Sequence, residues 1–324
     1  MKNQAPTKDQ EGFSLLMVMA TILMLEIICL FLAQTRGTQA TIASNRIEHL
    51  KARYLAEAGM AHGLWRIQND PAWRTDMNNL SLGEGTYTVS FVEDTPQQEI
   101  VITSQSIAQG VTLTSRRVLH WLTIQPPSGS DPKEMDTYLE EGSSTAVRDT
   151  STELLLDSES SAGTRRCRTL VRFNLWKYAI PVDASIISSS FSMYLFSPAN
   201  SADFINKGIV SDTYRIHRVT RDWYDHETCW AYRNKNWGWL WSSPGGDFDV
   251  TSEDSCNFSA VGWYTWRIPD MIRYWMKYPD QNYGFIIETD PRSGNNECKF
   301  YSSESSQLNY RPRLTIYYLD SRDS

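Results

Sequence analysis

From Phe13 to Ala33 the chain reads FSLLMVMATILMLEIICLFLA, twenty-one residues with a single charge at Glu26. At about 1.5 Å of rise per helical residue this run spans about 31 Å, close to the hydrocarbon thickness of a bilayer. A secretory signal predicts a shorter apolar core and a small-x-small cleavage site before fresh mature sequence, a poor description of this segment. The next segment, Gln34 to Asn69, has no Pro and is rich in Ala, Leu, Arg, Glu and Lys. Ile47, Leu50, Tyr54, Ala58, Ala61 and Trp65 recur at three- and four-residue steps, the mark of an amphipathic helix. The membrane run is therefore expected to continue into a soluble helix of about fifty residues in all, bent or broken near Gly37 and ended by Pro71.

Residues 1–12 are polar and end in Gly12-Phe13, where the apolar run starts. Together with Lys51-Ala52-Arg53-Tyr54-Leu55-Ala56-Glu57-Ala58-Gly59, this arrangement resembles type IV pilins and pseudopilins, the last stretch being similar to PilX-like minor pilins. The resemblance implies a leader over residues 1–12, cut between Gly12 and Phe13 by a prepilin peptidase. It implies a single pass through the inner membrane, then extraction by filament assembly machinery into a surface filament of pilin subunits. Major pilins place Glu at the fifth mature position, whereas this chain has Met17 there and carries its intramembrane acid at Glu26. That departure points to a minor subunit at or near a filament tip. A carboxylate in hydrocarbon costs a few kcal/mol, so Glu26 is expected to be neutral or partnered, the partner coming from another subunit.

Beyond the helix, Gly85–Val92, Glu99–Ser104 and Val111–Ile124 alternate with period two between turn signals. They predict a small antiparallel sheet on the helix, an α+β unit over residues 13–125. Residues 126–135 hold a Pro- and Ser-rich linker, Pro126-Pro127-Ser128-Gly129-Ser130-Asp131-Pro132. From 136 to 319 short apolar-alternating runs recur at Glu153–Asp157, Thr169–Leu175, Phe191–Phe196, Asp212–Val219, Tyr264–Arg267, Gly284–Thr289, Cys298–Tyr301 and Arg313–Tyr318. One helical patch, Ile268 to Met276, interrupts them. Many short strands and few helices predict an all-β sandwich of the jelly-roll kind.

The second region offers a further likeness. Asp136-Thr137-Tyr138, Leu170-Val171-Arg172-Phe173-Asn174-Leu175, Tyr214-Arg215-Ile216 through Trp223, Thr228-Cys229-Trp230, Gly245-Gly246-Asp247-Phe248-Asp249, Gln281-Asn282-Tyr283-Gly284 and Arg311-Pro312-Arg313-Leu314 occur in that order. The series resembles the DNRLRE domain family, bacterial surface and secreted sandwiches similar to carbohydrate-binding modules that recognise acidic polysaccharide such as alginate. The hexapeptide that names that family is absent, and the insertion around Trp237–Trp241 is long.

Composition limits the function. With 31 basic and 38 acidic side chains, a net charge of −7, the chain lacks the basic surface of a general nucleic-acid binder. A charged fraction of 21% and a hydrophobic fraction of 41% exclude wholesale disorder. No HExxH, GxSxG or phosphate-binding loop is present, and the five histidines are scattered, so no catalytic set is assigned. Asp225-His226-Glu227 reads as a surface turn.

Sugars pack their C–H faces on aromatic rings and leave hydroxyls and carboxylates to polar partners. The candidates for that role are Trp237, Trp239 and Trp241 with Arg233 and Lys235, whereas Trp223, Trp230 and Trp275 are expected in the core. Asp247, Asp249, Glu253 and Asp254 form the one oxygen-rich loop suited to calcium, without the spacing of a known calcium loop. No other cofactor is expected. Cys29 lies in the membrane run, and Cys167, Cys229, Cys256 and Cys298 allow three disulfide connectivities. The favoured pairs are Cys229–Cys256 and Cys167–Cys298. Zinc lacks the usual ligand spacings. The sequence thus predicts a minor pilin-like subunit displaying a glycan-binding or adhesive sandwich. Its rivals are a type II secretion pseudopilin that contacts exported substrates and an envelope-anchored polysaccharide hydrolase.

Overall fold

A computed structural model describes residues 8–125, 134–158, 166–198, 213–290 and 297–323, and for residues 8–16 the backbone alone. The expected leader before residue 8 and most of the expected linker lie outside the described residues. So do the side chains of Gly12 and Phe13.

The described residues begin in one continuous helix, α1 (Lys8–Asn69), of 62 residues. It passes Gly37 without the expected break. A lone glycine weakens a helix by about 1 kcal/mol but does not interrupt its hydrogen-bond ladder. Nothing lies within 4 Å of a Cβ built at Gly37, so no neighbour bends the backbone there. From Met17 onward the apolar run is long and apolar enough to cross a membrane, and none of it is covered by the rest of the chain. Met17 and Glu26 are both exposed on it.

The buried side of α1 is not the stripe that the periodicity picks out. Ile47, Leu50, Tyr54 and Trp65 are exposed, while Ala52, Leu55, Ala56, Gly59 and Met60 are buried at the same three- and four-residue steps. Close approach decides the face. Ser106 Oγ donates to the Ala52 carbonyl at 2.6 Å, and a Cβ at Gly59 would strike Ser104 Oγ and the Tyr87 ring. Small residues let the helix settle onto strands, and the larger apolar set is left outward.

The chain divides into two compact units. The first holds α1 up to Ala61 with Asp76–Ser90 and Thr103–Ser115; the second holds His62–Thr75, Phe91–Ile102 and the chain from Arg116. Strands β1 (Met77–Leu82), β2 (Gly85–Asp94), β3 (Glu99–Ala108) and β4 (Val111–Ile124) lie in that order in their sheet. The last three match the predicted runs; β1 has no alternating apolar pattern and lies outside them. Gly83 and Gly110, both at positive φ, close two of the turns.

The second unit is mostly antiparallel β. Its strands are β5 (Met135–Glu140), β6 (Glu153–Leu156), β7 (Cys167–Arg172), β8 (Ser185–Pro198), β9 (Thr213–Arg218), β10 (Tyr232–Asn234), β11 (Trp239–Leu240), β12 (Asp254–Asn257) and β13 (Gly262–Arg267). A short helix, α2 (Pro269–Lys277), precedes β14 (Phe285–Glu288), β15 (Cys298–Tyr301) and β16 (Arg313–Leu319). In the large sheet the order runs from β4 through β16, β8 and β15 to β6, with β13 also on β8; the smaller sheet runs β12-β9-β14-β7-β5. Leu119–Ile124 of β4 pairs with Leu314–Leu319 of β16, so this stretch belongs to the second unit's sheet.

The two sheets share one core. Phe191, Met193 and Leu195 of β8 and Leu314 and Ile316 of β16 cluster with Val171, Ile216, Phe285 and Ile287 from the smaller sheet. Phe191 and Phe285 bring their ring centres to 4.5 Å. Trp266 of β13 is buried there and donates its Nε1–H to the Tyr214 carbonyl on β9 at 2.9 Å. Full burial of each such side chain contributes about 1.5–3 kcal/mol. The smaller sheet is covered on its other face too. Ile286, between Phe285 and Ile287, joins Met135, Leu139 and Leu170 under Trp223, Trp230 and Trp241. This two-sided cover explains why Phe285–Ile287 of β14 is an unbroken apolar run.

Neither favoured disulfide is formed among the described residues. The strand pleat accounts for one pair. Cys298 faces the shared core with Leu156, whereas Cys167 clusters with Tyr138 and Leu155, on the opposite face of β6. For the other pair, Cys256 packs against the shared core, while the Cys229 carbonyl accepts from Trp241 in the outer cluster. Two thiols on opposite sides of one sheet cannot meet.

Candidate functional site

Residues 219–250 form a long loop over the outer face of the smaller sheet, and three indoles fix it there. Trp223 Nε1–H donates to the Tyr283 carbonyl at 2.8 Å and Trp241 Nε1–H to the Cys229 carbonyl at 3.0 Å. Trp230 has the guanidinium groups of Arg166 and Arg168 at 4.9 and 5.2 Å from its ring. Trp223, Trp230 and Trp275 are buried as predicted. Trp241 is not a binding candidate after all: it is 3% exposed and belongs to the cluster beneath the loop. One residue past β11 the chain turns back toward the sheet, and Trp241 goes with it.

Above this base stands the β10–β11 hairpin. Its turn places Gly238 at φ +67°, and the Asn234 side chain accepts the Trp237 backbone N–H at 3.0 Å. Trp237 is 70% and Trp239 44% exposed, with ring centres 5.5 Å apart and planes 37° apart. The Arg233 guanidinium lies 4.5 Å from the centre of the Trp239 ring and is held by the Asp222 carbonyl at 3.1 Å. Lys235 points back instead, its Nζ donating to the Thr145 carbonyl at 2.8 Å. Of the five predicted residues the hairpin thus presents Trp237, Trp239 and Arg233 together.

A cleft of about 650 Å³ opens where the loop meets β9 and β14. Arg215, His217 and Glu288 form its floor, and Arg221, Asp247 and Phe248 its side. Arg215 grips Asp290 through both terminal nitrogens at 3.0 and 2.6 Å and reaches Glu288 at 3.5 Å. His217 faces Glu288 through Nε2 at 3.4 Å and the Asp249 carbonyl through Nδ1 at 2.8 Å. Burial alone would raise the Glu288 pKa, but His217, Arg168 and Arg215 outweigh it and hold the carboxyl below its usual range. Burial and the neighbouring Arg166 bring Arg168 down to about 10. Sequence pattern alone misses this cleft. Its available signal is the alternation of Arg215 and His217 with the buried Tyr214 and Ile216 on one strand.

The four acids proposed for calcium serve separate ends. Asp247 accepts the Ser242 and Ser243 N–H groups at 2.9 and 3.1 Å and pairs with Arg221 at 3.2 Å. Asp249 pairs with Arg218 at 2.9 Å. Glu253 accepts the Asp270 and Met271 N–H groups at 2.6 and 2.9 Å, capping α2, and Asp254 accepts those of Ser255 and Arg267 at 2.8 and 2.6 Å. They do not converge, and among the described residues no three or more His, Cys, Asp or Glu gather as a metal site. His226 and Asp225 form an exposed turn, joined at 3.0 Å.

Residues 136–316, which contain both hairpin and cleft, match the family described as Disaggregatase related repeat domain. That is a different family from the DNRLRE one, and the match leaves both the DNRLRE and the pilin resemblance as expectations. No curated protein matches the chain.

Proposed function

This chain belongs to the Disaggregatase related repeat domain family, and from that premise we propose that it is a membrane-anchored subunit whose family domain, a jelly-roll sandwich, binds acidic glycan. The observation behind this reading is the pair Trp237 and Trp239, two exposed indoles beside Arg233 on a short, fixed hairpin. Large apolar rings at a loop tip cost solubility and contribute nothing to the core, so a ligand is the economical reason for them. The rings suit the C–H faces of sugars and the guanidinium a uronate carboxylate. The adjoining cleft, with its Arg and carboxylate groups, extends the surface on which hydroxyls can be bound. We read it as binding rather than catalytic, because Asp247, Glu288 and Asp290 all face cationic partners within the chain.

For the N-terminal region we propose the minor pilin-like role: cleavage after Gly12, residence in the inner membrane, then assembly with other pilin subunits into a surface filament. The uncovered apolar helix and the strands packed on its small-residue face support this reading. Two experiments test it. Mass spectrometry of the mature chain should find Phe13 at the N-terminus, and a start at Met1 in cells with active prepilin peptidase would refute the pilin part. A glycan array with the full chain in detergent should select uronate polymers, and no selection would refute the glycan part.

A further inference from the structure

The large sheet of the second unit has a face turned away from the shared core, and that face is aromatic. On β8, Phe191, Met193 and Leu195 point inward, so Ser192, Tyr194 and Phe196 point outward. The antiparallel register sets Trp263 of β13 opposite Tyr194 and Arg313 of β16 opposite Ser192. Tyr194 touches Trp263 edge-on at 5.5 Å between ring centres and Tyr310 at 4.3 Å. Tyr301 lies 4.3 Å from Phe196 and 5.7 Å from Tyr310. These five rings form one contiguous patch outside the core clusters described for this unit, all partly exposed and Tyr310 37% so.

One charge in the patch lacks its opposite. The Arg313 guanidinium lies 3.9 Å from the centre of the Trp263 ring, and among the described residues it makes no ion pair and no side-chain hydrogen bond. Burial is the sole influence on its pKa, which it lowers; no carboxylate acts to raise it. Nearby Lys299, by contrast, is matched by Glu153 at 3.1 Å and Glu297 at 3.6 Å. A half-buried guanidinium on an indole, without an acid, is a position where an anion would be stabilised.

We propose that this face is a second glycan-binding surface, separate from the Trp237 hairpin, which takes a uronate-containing chain with its sugar rings against Tyr194, Trp263 and Tyr310 and a carboxylate on Arg313. The hydroxyl of the exposed Thr265, held 2.8 Å from that of Ser192 beside the rings, adds a partner that sugars use. Charge favours this occupant over a second copy of the chain. The one acid on that face among the described residues, Glu153, is already paired with Lys299, so a second copy would offer Arg313 no free carboxylate. The ligand class is the one proposed above, but the site rests on its own residues.

The test is titration calorimetry of the full chain in detergent micelles with hexagalacturonate and, as an uncharged probe, xylohexaose. Trp263→Ala and Tyr310→Ala should each weaken one hexagalacturonate binding step about tenfold or more, the loss expected from an aromatic contact. Arg313→Gln should lower the preference for the uronate over the xylan probe, and Arg313→Lys should restore part of it. Melting curves that match the parent show that the variants fold, and Arg313→Gln, which changes no ring, keeps the test open if Trp263→Ala does not. Unchanged hexagalacturonate binding in Tyr310→Ala and Arg313→Gln would overturn the proposal, as would a change confined to self-association in sedimentation. Complete loss of binding in Trp237→Ala with Trp239→Ala would also overturn it while sparing the hairpin reading. Complete loss in the Trp263 and Tyr310 variants would sink the hairpin reading and uphold this one.

Discussion

Arg233 holds its guanidinium 4.5 Å from the centre of the Trp239 ring while Trp237, two residues away, stays 70% exposed. One indole is therefore braced on a cation and the other is held chiefly through its backbone. The same short stretch then buries Trp241 completely enough to serve the core. Substitution should separate these roles. Trp237→Ala is expected to leave the melting temperature within a degree or so while weakening uronate binding about tenfold. Trp241→Ala removes a buried side chain and its hydrogen bond to Cys229, and should destabilise the fold by about 3–5 kcal/mol. Thermal denaturation and calorimetry on both variants check the contrast.

Two glycines of α1 should respond in opposite ways. Gly59→Ala puts a methyl against Ser104 and Tyr87, and an overpacked contact of this kind costs about 1–3 kcal/mol. Gly37→Ala meets nothing within 4 Å and should be neutral or stabilising by up to about 1 kcal/mol, as expected for an open helix position. Thermal unfolding of the full chain in detergent measures both.

Stability should fall with rising pH through the Glu253 titration. Burial pushes this carboxyl from 4.5 up to about 7, even though it accepts two N–H groups at the start of α2. Between these values the folded chain keeps a proton that the unfolded chain has released. The stability linked to Glu253 is thus full below about pH 4.5 and is lost as pH rises through 7. Because the group keeps some water, the expected slope amounts to about 1–2 kcal/mol in total. Melting curves from pH 4.5 to 8 should show it in the parent and show it reduced in Glu253→Gln.

Much of this architecture is legible in the sequence because period-two alternation survives wherever one sheet face is buried. The runs at Cys298–Tyr301 and Arg313–Tyr318 and the helical patch before β14 all fall on observed elements. The short strands β10 and β11 carry no such pattern, since loop packing holds them and they cover no core of their own. On α1 the periodicity misleads, because two stripes of similar spacing coexist and only steric access chooses between Ala52-Ala56-Gly59 and Leu50-Tyr54-Trp65. The exposure of Trp237 and Trp239 can be read from their loop-like flanks. The same flanks hide Trp241, whose direction depends on the chain's return to the sheet. Arg215, His217 and Glu288 are out of reach, since strands from distant parts of the sequence assemble that cleft.

Asn282 and Gly284, part of one motif in the DNRLRE resemblance, act as a structural joint. Asn282 Nδ2 donates to the Phe173 carbonyl at 2.8 Å, and its Oδ1 accepts the Gly284 N–H at 3.2 Å. Gly284 sits at φ +74°, where a Cβ would collide with the Val171 carbonyl. Asn282→Leu should cost about 1–3 kcal/mol through the unpaired buried groups it leaves, and Gly284→Ala more than about 1 kcal/mol through strain and collision. Urea titration monitored by tryptophan fluorescence measures these losses, and an effect below about 0.5 kcal/mol in both would remove the joint from the account.

Whether the hairpin is a glycan site is decided by hexagalacturonate calorimetry on the full chain in detergent, in a Tyr310→Ala/Arg313→Gln background that weakens both the aromatic and the ionic part of the second face. Saturable binding that drops about tenfold or more in the Trp237→Ala/Trp239→Ala chain, with an unchanged melting curve, is the expected result. Equal affinity with and without the two indoles, or no binding in either chain, would contradict it.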